Sequence, residues 1–105
     1  DAKASGFYKK YPYFGKLAVP AGTYKGVDYA APSFQGSALW VANSKVSDDT
    51  IYKILSLIYA DAGLKHMYGQ KKTFKNMSVK TGATNIVTPF HPGAAKFWKE
   101  KGMLK

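Results

Sequence analysis

Few residues in this chain have the type and spacing that catalysis or metal binding requires. His66 and His91 each lack a second histidine or a carboxylate at the spacing of a metal site. As a catalytic base, His91 would need an orienting partner and a nucleophile, and the sequence marks neither. Asp48 and Asp49 are explained by a helix start, and no phosphate-binding loop, dinucleotide fingerprint or nucleophile-elbow motif occurs. We expect a protein that is not an enzyme and needs neither metal nor cofactor.

The length and cysteine content narrow the class of protein. A chain of 105 residues can form one small domain, or a fragment of a larger one, with a modest core. Cysteine is absent, which excludes disulfides and thiolate metal sites and suits the cytoplasm or a bacterial periplasm. The first ten residues lack the apolar core of a signal peptide. Because no Met begins the chain, we expect Asp1 to be a cut end.

The charge suggests anionic partners but does not favour nucleic acid. All 16 basic residues are lysines, and six acidic residues leave a net charge of +10. Base recognition and phosphate binding both favour arginine, because its planar guanidinium group donates two parallel hydrogen bonds and the lysine ammonium group does not. The lysines are also dispersed along the chain, with one tight cluster at Lys71, Lys72 and Lys75. We favour a solvated lysine-rich surface and expect no nucleic acid.

An aromatic segment near the start of the chain keeps an alternative open. Aromatic residues interleaved with lysines can stack on single-stranded bases. The same spacing is typical of a helix end that packs on a core, here with Pro12 ending the helix. We favour packing, and a stand-alone lysine-rich module that binds polyanions or nucleic acid is the alternative function. The aromatic residues concerned are Phe7, Tyr8, Tyr11, Tyr13 and Phe14.

The clearest element is a helix predicted over residues 47–63, on which the core should close. Ser47 is a suitable N-cap because its hydroxyl can accept a hydrogen bond from the first turn. Gly63 stands where a left-handed residue would end the helix. One apolar stripe recurs at helical spacing, formed by Ile51, Ile54, Leu55, Ile58 and Tyr59.

The other elements are shorter. Apolar patterning predicts strands at residues 15–19 and 38–42, and a further strand or extended segment at 85–88. The strand at 38–42, a short connection and the central helix would form half of a βαβ unit. A short helix or a turn is expected around Phe74, and Pro92 suits the first position of a last helix that ends at Gly102.

Four segments in order carry a family resemblance. They resemble the C-terminal third of TAXI-family solute-binding proteins, the periplasmic receptors of TRAP transporters. The resemblance runs from Phe7 to Gly102, and its most specific parts are PAGTYKG at residues 20–26 and HPGAAKFWKEKG at residues 91–102. The four segments are residues 19–26 (VPAGTYKG), 37–41 (SALWV), 47–54 (SDDTIYKI) and 89–94 (PFHPGA).

The resemblance implies an α/β fold and a transport function. This chain would be the C-terminal part of a two-lobed, periplasmic-binding-protein-like (type II) receptor, with a short sheet and flanking helices. Such a receptor closes in the periplasm on a small carboxylate, such as an amino acid or a dicarboxylate. It then delivers that solute to TRAP membrane subunits. The N-terminal two-thirds of such a receptor, where most of the pocket is expected, would lie outside this sequence.

Candidate site residues follow from position within this resemblance. By themselves, residues 20–26 are typical of a connecting turn. In the receptor, Thr23 and Tyr24 would face the cleft between the lobes, with Phe34 and Gln35 behind them. A hinge or cap role falls to three residues at the start of the last helix: His91, Pro92 and Gly93. Because the predicted sheet is near the minimum for stability, we expect this chain to be modestly stable or to self-associate along a strand edge.

Overall fold

The computed structural model describes residues 5–105, which contain both helices and strands and divide into two compact units. The hairpin unit comprises Asp1–Leu39, of which residues 1–4 lie outside the described part, together with Asn85–Val87. The helical unit comprises Trp40–Thr84 and Thr88–Lys105. Each helix within residues 5–105 falls short of the length and apolarity that a membrane span requires.

The hairpin unit is built on two antiparallel strands. Strand β1 spans Phe14–Val19 and strand β2 spans Ala31–Gly36. Their register places Phe14 opposite Gly36 and Val19 opposite Ala31. The prediction of a strand at residues 15–19 is therefore confirmed. Strand β2 is not predicted by its sequence, because it contains Pro32, but a two-stranded sheet consists of edge strands, where proline is tolerated.

A cluster of aromatic rings stabilises one face of the hairpin. The short helix α1, Phe7–Lys10, places the Phe7 ring 5.4 Å from each of the rings of Phe14 and Phe34, measured between centroids. The Tyr8 hydroxyl donates a hydrogen bond to the carbonyl of Ser33, at 2.9 Å. Ring pairs at such distances favour each other beyond simple burial. The packing interpretation of the N-terminal aromatics is confirmed for residues 5–14.

The helical unit begins with the predicted central helix, which ends earlier than expected. Helix α2 spans Asp48–Ile58, and the Ser47 hydroxyl accepts a hydrogen bond from the backbone N–H of Thr50, as the N-cap prediction requires. The chain then turns at Tyr59 and begins helix α3, Asp61–Gln70. The predicted end at Gly63 is therefore wrong.

Gly63 has a different role from the one its sequence suggests. It lies in the first turn of α3 and does not adopt a left-handed backbone conformation. A Cβ at this position would collide with the backbone carbonyls of Leu57 and Ile58. Glycine is therefore needed because α3 starts directly against the end of α2.

The core of the helical unit forms between α2 and the last helix, α4, which spans Pro92–Glu100. Phe97 and Trp98 are the buried large hydrophobic residues of the described chain. The Tyr59 ring packs against the Trp98 ring, with centroids 4.8 Å apart. The predicted apolar stripe of α2 is only partly correct, because Ile54 is exposed and Tyr52 packs against Phe97 instead.

The predicted strand at residues 38–42 is wrong, and the strand alternative at residues 85–88 does not form. Residues 38–42 are irregular, and Val41 leaves 86% of its surface exposed, so no half βαβ unit forms there. Of the two alternatives for residues 85–88, a strand or an extended segment, the φ of 59° at Asn85 is incompatible with the strand. Short apolar runs satisfy several structures equally well, and in this protein neither run finds a strand partner. The short helix or turn predicted around Phe74 is a 3₁₀ helix, Lys72–Asn76.

Candidate functional site

The loop between β1 and β2 holds two of the expected site residues. Gly22 adopts a φ of 76°, and its N–H donates to the carbonyl of Val27 at 2.8 Å. The Thr23 hydroxyl donates to the carbonyl of Pro20 at 2.7 Å. Thr23 therefore uses its hydroxyl hydrogen to hold the turn, and its oxygen keeps acceptor capacity.

Tyr24 presents its phenol to solvent from this loop. The side chain is 63% exposed and lines an open pocket with a volume of about 350 Å³. A phenol can donate one hydrogen bond to an anion, and Lys25 adds a charged donor. The pocket is lined by Gly22, Tyr24, Lys25, Gly26, Val27 and Asp28.

Phe34 and Gln35 lie on β2, away from this loop. They pair with Lys16 and Gly15, near the end of the hairpin opposite to the loop. Because neighbouring residues of a strand point to opposite faces, their side chains do not lie side by side. Phe34 joins the aromatic cluster, whereas Gln35 lies beside Gly15. The structure thus keeps Thr23 and Tyr24 together and separates Phe34 and Gln35 from them and from each other.

A second cavity, which we call the hairpin cavity, has a volume of about 360 Å³ and lies within the hairpin unit. Most of its lining is aromatic or aliphatic. Sequence patterning does not identify it, because it forms only when residues 85–87 lie against the hairpin. The one local signal is that asparagine tolerates positive φ better than most residues. The lining residues are Tyr13, Phe14, Gly36, Ser37, Leu39, Asn85 and Val87.

The expected hinge or cap residues lie at the start of α4. His91 is the N-cap, and its Nδ1 accepts a hydrogen bond from the N–H of Gly93 at 3.2 Å. Its Nε2 lies 3.0 Å from the carbonyl of Val46 and can donate to it. Both contacts are satisfied by the neutral ring with its proton on Nε2. The side chain is 8% exposed, which leaves little room for a bound solute.

Gly93 allows the two main helices to approach closely. It is buried, and a Cβ on it would collide with the backbone of Asp48 at the start of α2. Pro92 occupies the first turn of α4, where its missing N–H costs no helical hydrogen bond. These residues therefore hold α4 against α2.

Two tyrosines of α2 and its C-cap have altered acidity. The Tyr52 hydroxyl donates to the Glu100 carboxylate at 2.6 Å, and this bond, with partial burial, raises the pKa of Tyr52. Burial raises the pKa of Tyr59. Both shifts favour the neutral phenol, so they report on packing between α2 and α4.

Comparison with known protein families matches residues 1–102 to the NMT1-like family. The chain belongs to the NMT1-like family. This is a periplasmic-binding-protein-like family, and membership implies a solute-binding type of role. The predicted relation to periplasmic-binding proteins is confirmed at this level, together with a mixed α/β structure that has a two-stranded sheet and flanking helices.

A solute-binding role requires side chains that a solute can reach. Within residues 5–105, no group of three or more histidine and carboxylate side chains could hold a metal ion. The accessible candidates are Tyr24 in the loop and the hairpin cavity. The start of α4, in contrast, is occupied by contacts within the helical unit.

Proposed function

We propose that this NMT1-like chain is the C-terminal part of a periplasmic receptor of a TRAP transporter, of the TAXI type. It binds a small carboxylate, such as an amino acid or a dicarboxylate, and delivers it to the membrane subunits without chemical change. The observation that carries the proposal is the family match over residues 1–102. The ordered PAGTYKG and HPGAAKFWKEKG segments, which resemble TAXI receptors, support the finer assignment.

The charge of the chain supports an anionic solute. Sixteen lysines against six acidic residues create a positive field that raises the local concentration of anions and speeds their approach. In the loop between the strands, the exposed Tyr24 hydroxyl can donate to a carboxylate oxygen. Lys25 lines the same pocket and supplies a charged donor there.

The proposal is tested by ligand-dependent thermal stability of the protein expressed from its complete reading frame. We expect glutamate, succinate or a related carboxylate to raise the melting temperature, because a ligand that binds only the folded state stabilises it. The corresponding amides serve as uncharged controls. Absence of a shift with every carboxylate, or equal shifts with the amides, would contradict the proposal.

A matched pair of variants tests the contribution of the loop. Tyr24→Phe should weaken carboxylate binding roughly fivefold, the loss expected for one hydrogen bond of about 1 kcal/mol. Tyr29→Phe removes a similarly exposed hydroxyl outside the pocket lining and should leave the affinity unchanged. Equal effects of the two variants would exclude a specific role for Tyr24.

A further inference from the structure

The hairpin cavity has the dimensions and lining of a binding site for a small molecule. Its volume of about 360 Å³ falls at the lower end of the range for ligand pockets. Tyr13 and Phe14 contribute aromatic surface, and Leu39 and Val87 contribute aliphatic surface. Tyr13, Leu39 and Val87 are each more than one third exposed, so an apolar ligand would remove their surface from water.

One polar residue, Asn85, is held at this cavity by an unusual backbone conformation. Among the described residues it is the one non-glycine residue with a positive φ, 59°. Left-handed backbone is unfavourable for most side chains and concentrates at functional sites. The side chain is half-buried, and within residues 5–105 no hydrogen bond pairs its carboxamide. Its polar atoms reach solvent at the cavity, where the carboxamide can bind a polar group of a ligand.

Gly15 makes room for this carboxamide. A Cβ on Gly15 would lie 2.6 Å from Asn85 Nδ2 and 3.3 Å from Gln35 Nε2. Both carboxamides therefore lie over the glycine, where any side chain would displace them. Gly15 is the buried residue of β1, although it has no side chain to contribute to a core. The lack of a side chain at Gly15 therefore leaves space for the Asn85 carboxamide and adds nothing to packing within the strand.

The chemistry of the lining defines the ligand class. Asn85 and Ser37 can donate hydrogen bonds to a carboxylate, and no acidic residue lines the cavity. The hairpin unit carries five lysines against two aspartates, which favours an anion over a cation. The Leu39 and Val87 side chains offer a second carboxylate no hydrogen-bond donor.

We infer that the hairpin cavity binds the apolar body of a monocarboxylate, such as an aromatic or branched aliphatic acid, with Asn85 donating to its carboxylate. This inference goes beyond the proposed function: the hairpin cavity is separate from the pocket of the Tyr24 loop, and its lining disfavours dicarboxylates. Binding should be weak in the 105-residue chain, because several lining residues remain open to solvent.

The test is a titration of the 105-residue chain with phenylacetate, followed by amide and side-chain NMR shifts. Shifts should concentrate on the cavity lining, and succinate should bind at least tenfold more weakly. Asn85→Gly removes the carboxamide and retains a residue that accepts positive φ, so the variant should fold and lose roughly tenfold in affinity. Val87→Asp places a negative charge in the lining and should abolish binding. The control is Val41→Asp, at an exposed valine of the helical unit, which should leave binding unchanged.

Each outcome separates this inference from the proposed function. Succinate binding that equals phenylacetate binding, or phenylacetate binding unaffected by Asn85→Gly, overturns the inference and leaves a carboxylate receptor standing. Binding of phenylacetamide without binding of phenylacetate overturns the recognition of a carboxylate in the hairpin cavity. No response of the cavity residues to any of these compounds overturns the inference, and the melting-temperature panel on the complete protein then decides the proposed function separately.

Discussion

At the scale of single residues, three glycines of the helical unit occupy positions where a side chain would collide with a neighbour. Gly63 and Gly93 face backbone atoms of α2, and Gly82 faces the rings of Tyr59 and Trp98. None of the three has a positive φ, so close approach rather than backbone conformation requires glycine there. Gly93 is the most informative, because its neighbour is the backbone of Asp48, which cannot move aside like a flexible side chain.

Gly93→Ala should lower the free energy of unfolding by at least about 2 kcal/mol. The added methyl group must push α4 away from α2, and overpacking of a tight contact typically costs 1–3 kcal/mol. Chemical denaturation followed by circular dichroism measures the change.

The control for this prediction is Gly69→Ala. Gly69 lies in α3 with nothing within 4 Å of an added Cβ. Alanine has the higher helix propensity, so this variant should be neutral or up to about 1 kcal/mol more stable. Similar destabilisation by both substitutions would show that the close approach at Gly93 does not matter.

At the scale of elements, the pair α2 and α4 is joined by both packing and hydrogen bonds. Tyr52 contacts Phe97 and donates to Glu100, and His91 links the start of α4 to Val46. Tyr59 packs on both buried aromatic residues of α4. Since the pKa values of Tyr52 and Tyr59 are raised in the folded state, the fold stabilises their neutral forms.

This packing predicts a loss of stability at alkaline pH. A group with a raised folded pKa contributes stability that is fully present below its unfolded value, about 10 for tyrosine, and is lost as pH rises through the folded value. The free energy of unfolding should therefore fall as the pH rises above about 10. Denaturant unfolding at a series of pH values between about 8 and about 11 measures this fall in the free energy of unfolding.

Substitution of Tyr52 tests its contribution to this pH dependence. Tyr52→Phe should be less stable than the parent chain at neutral pH and should lose less stability above pH of about 10. Tyr29→Phe removes an exposed hydroxyl and should retain the parent pH dependence. A Tyr52→Phe profile parallel to that of the parent would contradict the prediction.

At the scale of the whole molecule, little apolar surface is fully buried. Within residues 5–105, only Phe97 and Trp98 are buried large hydrophobic residues, whereas Leu17, Trp40 and Leu57 are exposed. Among the described residues, the outer edge of each strand of the two-stranded sheet has no strand paired with it. A sheet of this size is marginal alone, and open edges pair readily with other strands. These features agree with a chain that is modestly stable or self-associates.

Self-association along a strand edge is measured by sedimentation over a range of concentrations. The average mass should rise with concentration, and Leu17→Lys on β1 should reduce it, because an edge charge opposes strand pairing. The matched control is Leu57→Lys, at an exposed leucine of α2, which should leave the average mass unchanged. A strictly monomeric chain that resists about 5 M guanidinium chloride would contradict both predicted behaviours.

Local chemistry in the sequence was sufficient for the starts of α2 and α4 and for the relation to periplasmic-binding proteins. Ser47 and His91 cap their helices through contacts within three residues, and Pro92 suits a first turn in any helix. The ordered segments that resemble solute receptors agree with membership of the NMT1-like family. Such features depend on neighbours along the chain, so the residues alone encode them.

Only the tertiary structure decided which apolar segments pair and where a cavity forms. Strand β2 exists because β1 lies beside it, although Pro32 argues against a strand. Residues 38–42 have a suitable apolar run and remain irregular because no strand pairs with them. The hairpin cavity requires Asn85 to return to a glycine 70 positions earlier in the chain, Gly15. Contacts between such distant residues depend on the complete packing, which local propensity does not contain.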